Sequence, residues 1–185
     1  MDIKKFDCPF EDGKVGEEGG HTALRGCLTV LDTQPKTVNS VTDLLIAIFN
    51  RNGKEFKEKV LSELMGDVKK RVEDLLSVAE CGQGAGVGEG SESAKAAVRI
   101  HLFTLLFEDC SRLCVELVES SGAIQLMVQL ISVAQEVLQG ASGIARDTPK
   151  WITPMLLFIE MYEEMKMTQE TIKNNFAKSK LNQIF

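Results

Sequence analysis

The glycines Gly82, Gly84, Gly86, Gly88 and Gly90 are one place where this chain invites a chemical reading, since glycine-rich turns present backbone N–H groups to phosphates. The spacing argues against it. Strict alternation contains no G-x-G-x-x-G, no Gly-Lys-Ser/Thr follows, and the preceding segment has helical rather than strand periodicity. Cys81 to Ser93 reads instead as an exposed linker. Cys110 and Cys114 are four apart and share a helix face. A metal would need further ligands, and neither His21 nor His101 stands in an H-x-x-x-H or C-x-x-C pattern. His101 as a catalytic base would need a placed nucleophile and an orienting acid. The cysteine pair therefore reads as small buried hydrophobes, and His101 as a core or boundary histidine bonded to backbone. Glu160, Glu163 and Glu164 offer paired carboxylates for acid–base work, but they fit the wet side of an amphipathic helix. Met155, Met161, Met165 and Met167 form the soft apolar side of that helix and read as core packing. Trp151 reads as a packing anchor with its indole N–H near the surface. No catalytic, cofactor-binding or metal-ligating residue is assigned, no cofactor is expected, and the partner-binding residues stay open.

The elements that carry these residues are helices. Ala23, Leu24, Cys27, Leu28 and Leu31 make one stripe, ended by Thr33-Gln34-Pro35. Thr37 to Arg51 is a second helix, capped by Asn39 or Ser40, with Val41, Leu44, Leu45, Ile48 and Phe49 facing the core. Gly53, able to take positive φ, follows its stop. Lys54 to Glu80 is the longest pattern, with apolar residues every three or four positions from Phe56 to Ala79. Gly66 in its middle suggests a kink or a close helix crossing. Ser91 or Ser93 caps Ala94 to Asp109, which is apolar nearly all round and so should be central. Ser111 to Glu119 continues after a bend. Ser120, Ser121 and Gly122 then break the chain before an apolar helix to Gln139. This corner looks like that of an armadillo-type repeat, where glycine allows a sharp turn. Trp151 to Met167 is the last core helix, with Pro154 in its first turn. No β-hairpin signal appears.

Pairs of helices joined by short breaks, with nearly all-apolar helices in the middle, predict an all-α fold of armadillo/HEAT-like α-solenoid type. The expected organisation is a flexible tail over 1–19, an armadillo-like segment over 20–167 with a glycine-rich linker at 82–93, and a weakly packed or disordered tail over 168–185. The chain has 185 residues, 44% of them hydrophobic and 6% aromatic. Its net charge of −6 offers no footprint for nucleic acid or an anionic membrane. The one basic cluster, Lys69-Lys70-Arg71, lies among acids and reads as a solvated helix face. Five cysteines without disulfide-like spacing, no apolar leader and no long apolar run suggest a soluble protein of a reducing compartment.

Two segments go further: V-T-D-L-L-I-A-I-F-N-R-N-G-K-E-F, Val41 to Phe56, and D-T-P-K-W-I-T-P-M-L-L-F-I-E-M-Y-E, Asp147 to Glu163. With their spacing, they resemble the N-terminal armadillo-like region of the giant HECT-type E3 ubiquitin ligases that also carry UBA and WWE domains. The resemblance covers most of residues 20–167. It implies an α-solenoid that helps shape a substrate-receiving surface, while ubiquitin transfer belongs to a HECT domain with a thioester-forming cysteine. Nothing matching that domain stands in these 185 residues. The resemblance thus implies a non-catalytic scaffold segment, with protein substrates or adaptors and neighbouring repeats of a larger chain as partners. The expected location is the cytoplasm, with the nucleus as a second compartment. The alternative is an unrelated armadillo/HEAT-type adaptor in trafficking or transport. A small helical enzyme using Cys110 or Cys114 is the third reading, and it requires a depressed thiol pKa.

Overall fold

The computed structural model describes residues 17–80, 92–140 and 149–182. These form six α-helices: α1 (Glu17–Thr33), α2 (Val38–Arg51), α3 (Lys54–Glu80), α4 (Glu92–Ser121), α5 (Ala123–Gly140) and α6 (Ile152–Asn182), with a short 3-10 turn at Pro35–Thr37. No strand occurs among the described residues. Each helix buries one stripe at helical spacing: Leu24, Cys27 and Leu31 on α1, Val41, Leu45 and Phe49 on α2, Leu61, Leu64, Val68, Val72 and Leu75 on α3.

The helices pack two apart along the chain. α3 lies against both α1 and α5, while α4 lies against both α2 and α6, and α3 packs on α4. The result is three helix pairs in two rows, the stacking by which an α-solenoid builds a continuous core. The all-α, solenoid-like expectation is met. The pair covered on both sides is α3/α4, and α4 is fully buried at Ala96, Ile100, Leu102, Phe103, Leu106 and Phe107. Phe103, Phe107 and Phe158 close the seam to α6, with ring centroids 5.6–5.8 Å apart in edge-on or tilted arrangements. Most exposed large apolar side chains lie on the outer pairs, Val30 and Leu44 on the first and Val128, Leu156, Leu157, Met167 and Ile172 on the last, with Val78 on α3 as well.

Two breaks shape this array, and both fall where the sequence placed them. Cys110 has non-helical angles, φ −131° and ψ 26°, and divides α4 into two segments. Gly122 has φ +68°, the left-handed region that a Cβ penalises. There the chain turns by 66° between Asp109–Ser121 and Ala123–Gln135. Ser121 holds the corner, its Oγ donating to the Val118 carbonyl at 2.9 Å and accepting from the Ala123 N–H at 3.2 Å.

Other local expectations are corrected. α2 begins at Val38 with no side-chain cap, because the Thr37 hydroxyl donates backward to the Gln34 carbonyl at 2.7 Å. Its C-terminus is closed by extended Asn52, not by Gly53. The Asn52 N–H and Nδ2 both donate to the Ile48 carbonyl, at 3.1 and 2.8 Å. Leu44 does not face the core and is 52% exposed. α3 runs through Gly66 without a break, and a Cβ there would meet nothing within 4 Å. α1 starts at Glu17, ahead of Gly20, and α4 at Glu92, ahead of Ala94. α6 continues to Asn182, with 170–174 exposed. The rest of the expected linker and of the N-terminal tail lies outside the described residues.

The same substitution at two glycines should therefore have opposite signs. Gly66→Ala should stabilise by up to about 1 kcal/mol through helix propensity. Gly122→Ala should destabilise by about 1–2 kcal/mol, the penalty of a left-handed Cβ. Chemical denaturation of both variants beside the parent chain measures this.

Candidate functional site: a buried ion-pair chain and the helix surfaces

Charge, not catalysis, organises the interior. Arg99 sits on the apolar half of α4 with its side chain only 2% exposed. A guanidinium cannot shed its charge, so burial demands partners from other elements. Its Nη2 donates to Asp32 Oδ1 at 2.7 Å and to the Leu28 carbonyl at 3.1 Å, both on α1. Its Nε donates to Asp67 Oδ2 on α3 at 3.2 Å. The same Asp67 oxygen accepts from Arg71 Nε at 3.2 Å. Arg71 Nη1 then donates to Glu92 Oε2 at 2.7 Å, and Glu92 Oε1 accepts from Lys95 Nζ at 2.7 Å. Six side chains thus link α1, α3 and α4, joining the first helix pair to the second.

This network corrects the view of Lys69-Lys70-Arg71 as a solvated face: Arg71 is largely buried. Burial opposes its charge, but Asp67, Glu92 and Asp32 outweigh that and raise its pKa. Glu92 moves the other way, held below the usual carboxylate range chiefly by the Lys95 hydrogen bond, with Lys95 and Arg71 charges adding to it. A lone Arg within an otherwise apolar helix face was the one sequence signal for this clamp. Its two aspartates lie 67 and 32 residues away in sequence.

A second polar cluster ties α4 to α6. Lys166 Nζ lies 3.3 Å from Glu119 Oε1 and donates to Tyr162 Oη at 3.4 Å, while Tyr162 donates to Glu119 at 3.5 Å. Hydrogen bonds to Glu119, then to Tyr162, raise the Lys166 pKa. Lys166 and Glu119 stand partly in solvent, while Tyr162 is buried.

The residues that looked reactive are placed without reactive surroundings. Cys27, Cys110 and Cys114 are buried free thiols. Burial raises the pKa of each, most strongly for Cys114, where neighbouring Cys110 adds to it. Depressed thiol pKa values, which the small-enzyme reading needs, are contradicted at both Cys110 and Cys114. His101 is exposed on α4, not the core or boundary residue that its apolar neighbours suggest. His21 on α1 pairs through Nδ1 with Glu63 on α3. Glu160, Glu163 and Glu164 are exposed along α6. Met155 is buried, Met161 and Met165 pack at the core edge, and Met167 is exposed. Trp151 is fully buried, and its Nε1 has no partner among the described residues, so the indole N–H is not near the surface. Among the described residues no group of three or more His, Cys, Asp or Glu could hold a metal ion. No single helix there is long and apolar enough to cross a membrane.

One concavity stands out on the outside. A groove of about 520 Å³ runs between the first turns of α3 and the second segment of α4, lined by Glu55, Glu58, Lys59, Ser62, Leu113, Glu116, Leu117 and Ser120. Leu113 and Leu117 belong to the edge of the core. Lys54 pairs with Glu58 at 3.2 Å and Arg112 with Glu116 at 3.1 Å, both cations more than four-fifths exposed.

No protein-family model matches the chain. It is 34% identical over 160 residues to the E3 ubiquitin-protein ligase HUWE1 of Mus musculus, and equally to that of Rattus norvegicus. The match covers 80% of this chain and 4% of each ligase. The chain is thus related in sequence to one segment of these ligases and spans only a small part of their length.

Removing the buried cation should be costly. Arg99→Ala takes from Asp32 its Arg99 partner and leaves Asp67 with Arg71 alone, and should lose about 3 kcal/mol in urea denaturation. The thiols should be inert in the folded state. Iodoacetamide at neutral pH should label Cys27, Cys110 and Cys114 far more slowly in the native chain than in urea, read by peptide mass mapping, because burial disfavours the thiolate.

Proposed function

We propose that this chain serves as a non-catalytic docking scaffold, equivalent to a segment of the armadillo-like region of a HECT-type ubiquitin ligase, in protein ubiquitination. The observation that carries the reading is the sequence match: it takes in most of this chain and a small, single stretch of an E3 ubiquitin-protein ligase. The paired helices support it, since stacked pairs bury their core between rows and leave long helix faces for partners. The chemistry supports it too. Ubiquitin transfer through a thioester needs an accessible, nucleophilic cysteine, and Cys27, Cys110 and Cys114 are buried with raised pKa values. The partners would be protein substrates or adaptors, met in the cytoplasm and nucleus, with further repeats abutting the outer helix pairs. The adaptor reading in trafficking or transport shares the fold, but the relation to a ligase favours the first.

The scaffold should compete with the ligase without joining its chemistry. Added in excess to a reconstituted ubiquitination by the mouse ligase, the chain should lower modification of substrates that dock on the matching segment and leave the ligase's own autoubiquitination unchanged. Incubated with ubiquitin and charged conjugating enzyme, it should form no reducible adduct. An adduct on any of its cysteines, or no effect on any substrate, overturns the reading.

A further inference from the structure

The groove between α3 and α4 combines an apolar floor with an acidic rim, and we propose that it receives a short basic amphipathic segment of a partner protein. The inference rests on the docking reading above and names the chemistry of what docks. Leu113 and Leu117 are one helical turn apart on α4, so both can meet one apolar side chain. Glu55 and Glu58 rise from α3 on one side and Glu116 from α4 on the other. Lys59 is the one cation lining the groove against these three carboxylates, the other nearby cations standing outside the lining. The pairs that Glu58 and Glu116 make within their own helices use Lys54, 84% exposed, and Arg112, 86% exposed. Such solvated pairs hold their carboxylates weakly, and a partner's cations can replace them.

Length and charge select the occupant. From Glu55 to Ser62 the α3 wall runs roughly 10 Å at 1.5 Å per residue, enough for about two helical turns or three extended residues. The volume is that of a pocket for one anchor and its flanks, not for a folded domain. A second copy of this chain is disfavoured because both copies carry the same net charge of −6. Nucleic acid is repelled for the same reason. A lysine- or arginine-flanked apolar residue satisfies both floor and rim, and its approach is steered by the acidic field.

The test uses a short fluorescein-labelled peptide with lysines flanking a central phenylalanine, titrated with the full chain by anisotropy. Binding should occur, weaken as salt is raised, and fall about tenfold or more in the variant combining Glu55→Gln, Glu58→Gln and Glu116→Gln. A peptide with alanine for the phenylalanine should bind more weakly to the unaltered chain, which reads the leucine floor without disturbing the fold. Glu160→Gln, Glu163→Gln and Glu164→Gln together, on exposed α6, should leave binding unchanged. Equal binding by the groove variant, equal loss in the α6 variant, or equal affinity for a glutamate-flanked peptide overturns the proposal. Competition with the ligase that persists while this peptide fails to bind would reject the groove and leave the scaffold reading standing.

Discussion

A permanently charged guanidinium sealed within an apolar helix constrains everything around it. Arg99 has no acid of its own helix within reach of its Nε and Nη2, so α1 and α3 must bring Asp32 and Asp67 to it. That requirement fixes how the first helix pair sits on the second. Hydrophobic stripes favour contact between helices but tolerate sliding and rotation, because burial is non-directional. Hydrogen bonds of 2.7–3.2 Å to one side chain do not. The remaining Nη1 has no partner among the described residues, which raises the cost of the clamp and marks it as a device for register more than for stability.

The second seam is built from different material. Phe103, Phe107 and Phe158 supply area and edge-on ring contacts, and Tyr162, Lys166 and Glu119 a polar clasp at the surface. Between the seams, the bend at Cys110 lets α4 do two jobs. Its first segment carries Arg99 and the aromatic pair, and its second carries the groove leucines and the clasp. The groove proposed for docking therefore has one wall on the helix that the fold covers most completely.

Much of this was legible from residue spacing. The stripes of α1, α3 and α6, the break at Gly122 and the bend before Ser111 follow from local rules: helical period, the freedom of glycine, the interruption of an apolar run. What escaped is non-local. Leu44 lies near the edge of its stripe, and only the packing of α2 on α4 decides that it faces water. His101 has apolar neighbours in sequence, yet they point elsewhere around the helix and leave it exposed. Asn52 closes α2 with both backbone and side chain, so Gly53 has no need of positive φ. Arg99 was hidden by a composition that reads as core, and its partners could be found only once the rows were stacked. The groove was invisible for the same reason: its two walls come from segments some fifty residues apart.

The two polar clasps should respond differently to salt. The guanidinium at the centre of Asp32–Arg99–Asp67 is buried, whereas both Lys166 and Glu119 stand partly in solvent. Rising ionic strength therefore weakens the Lys166–Glu119 pair more than the hydrogen bonds of the buried Arg99, and leaves the aromatic seam between α4 and α6 in place.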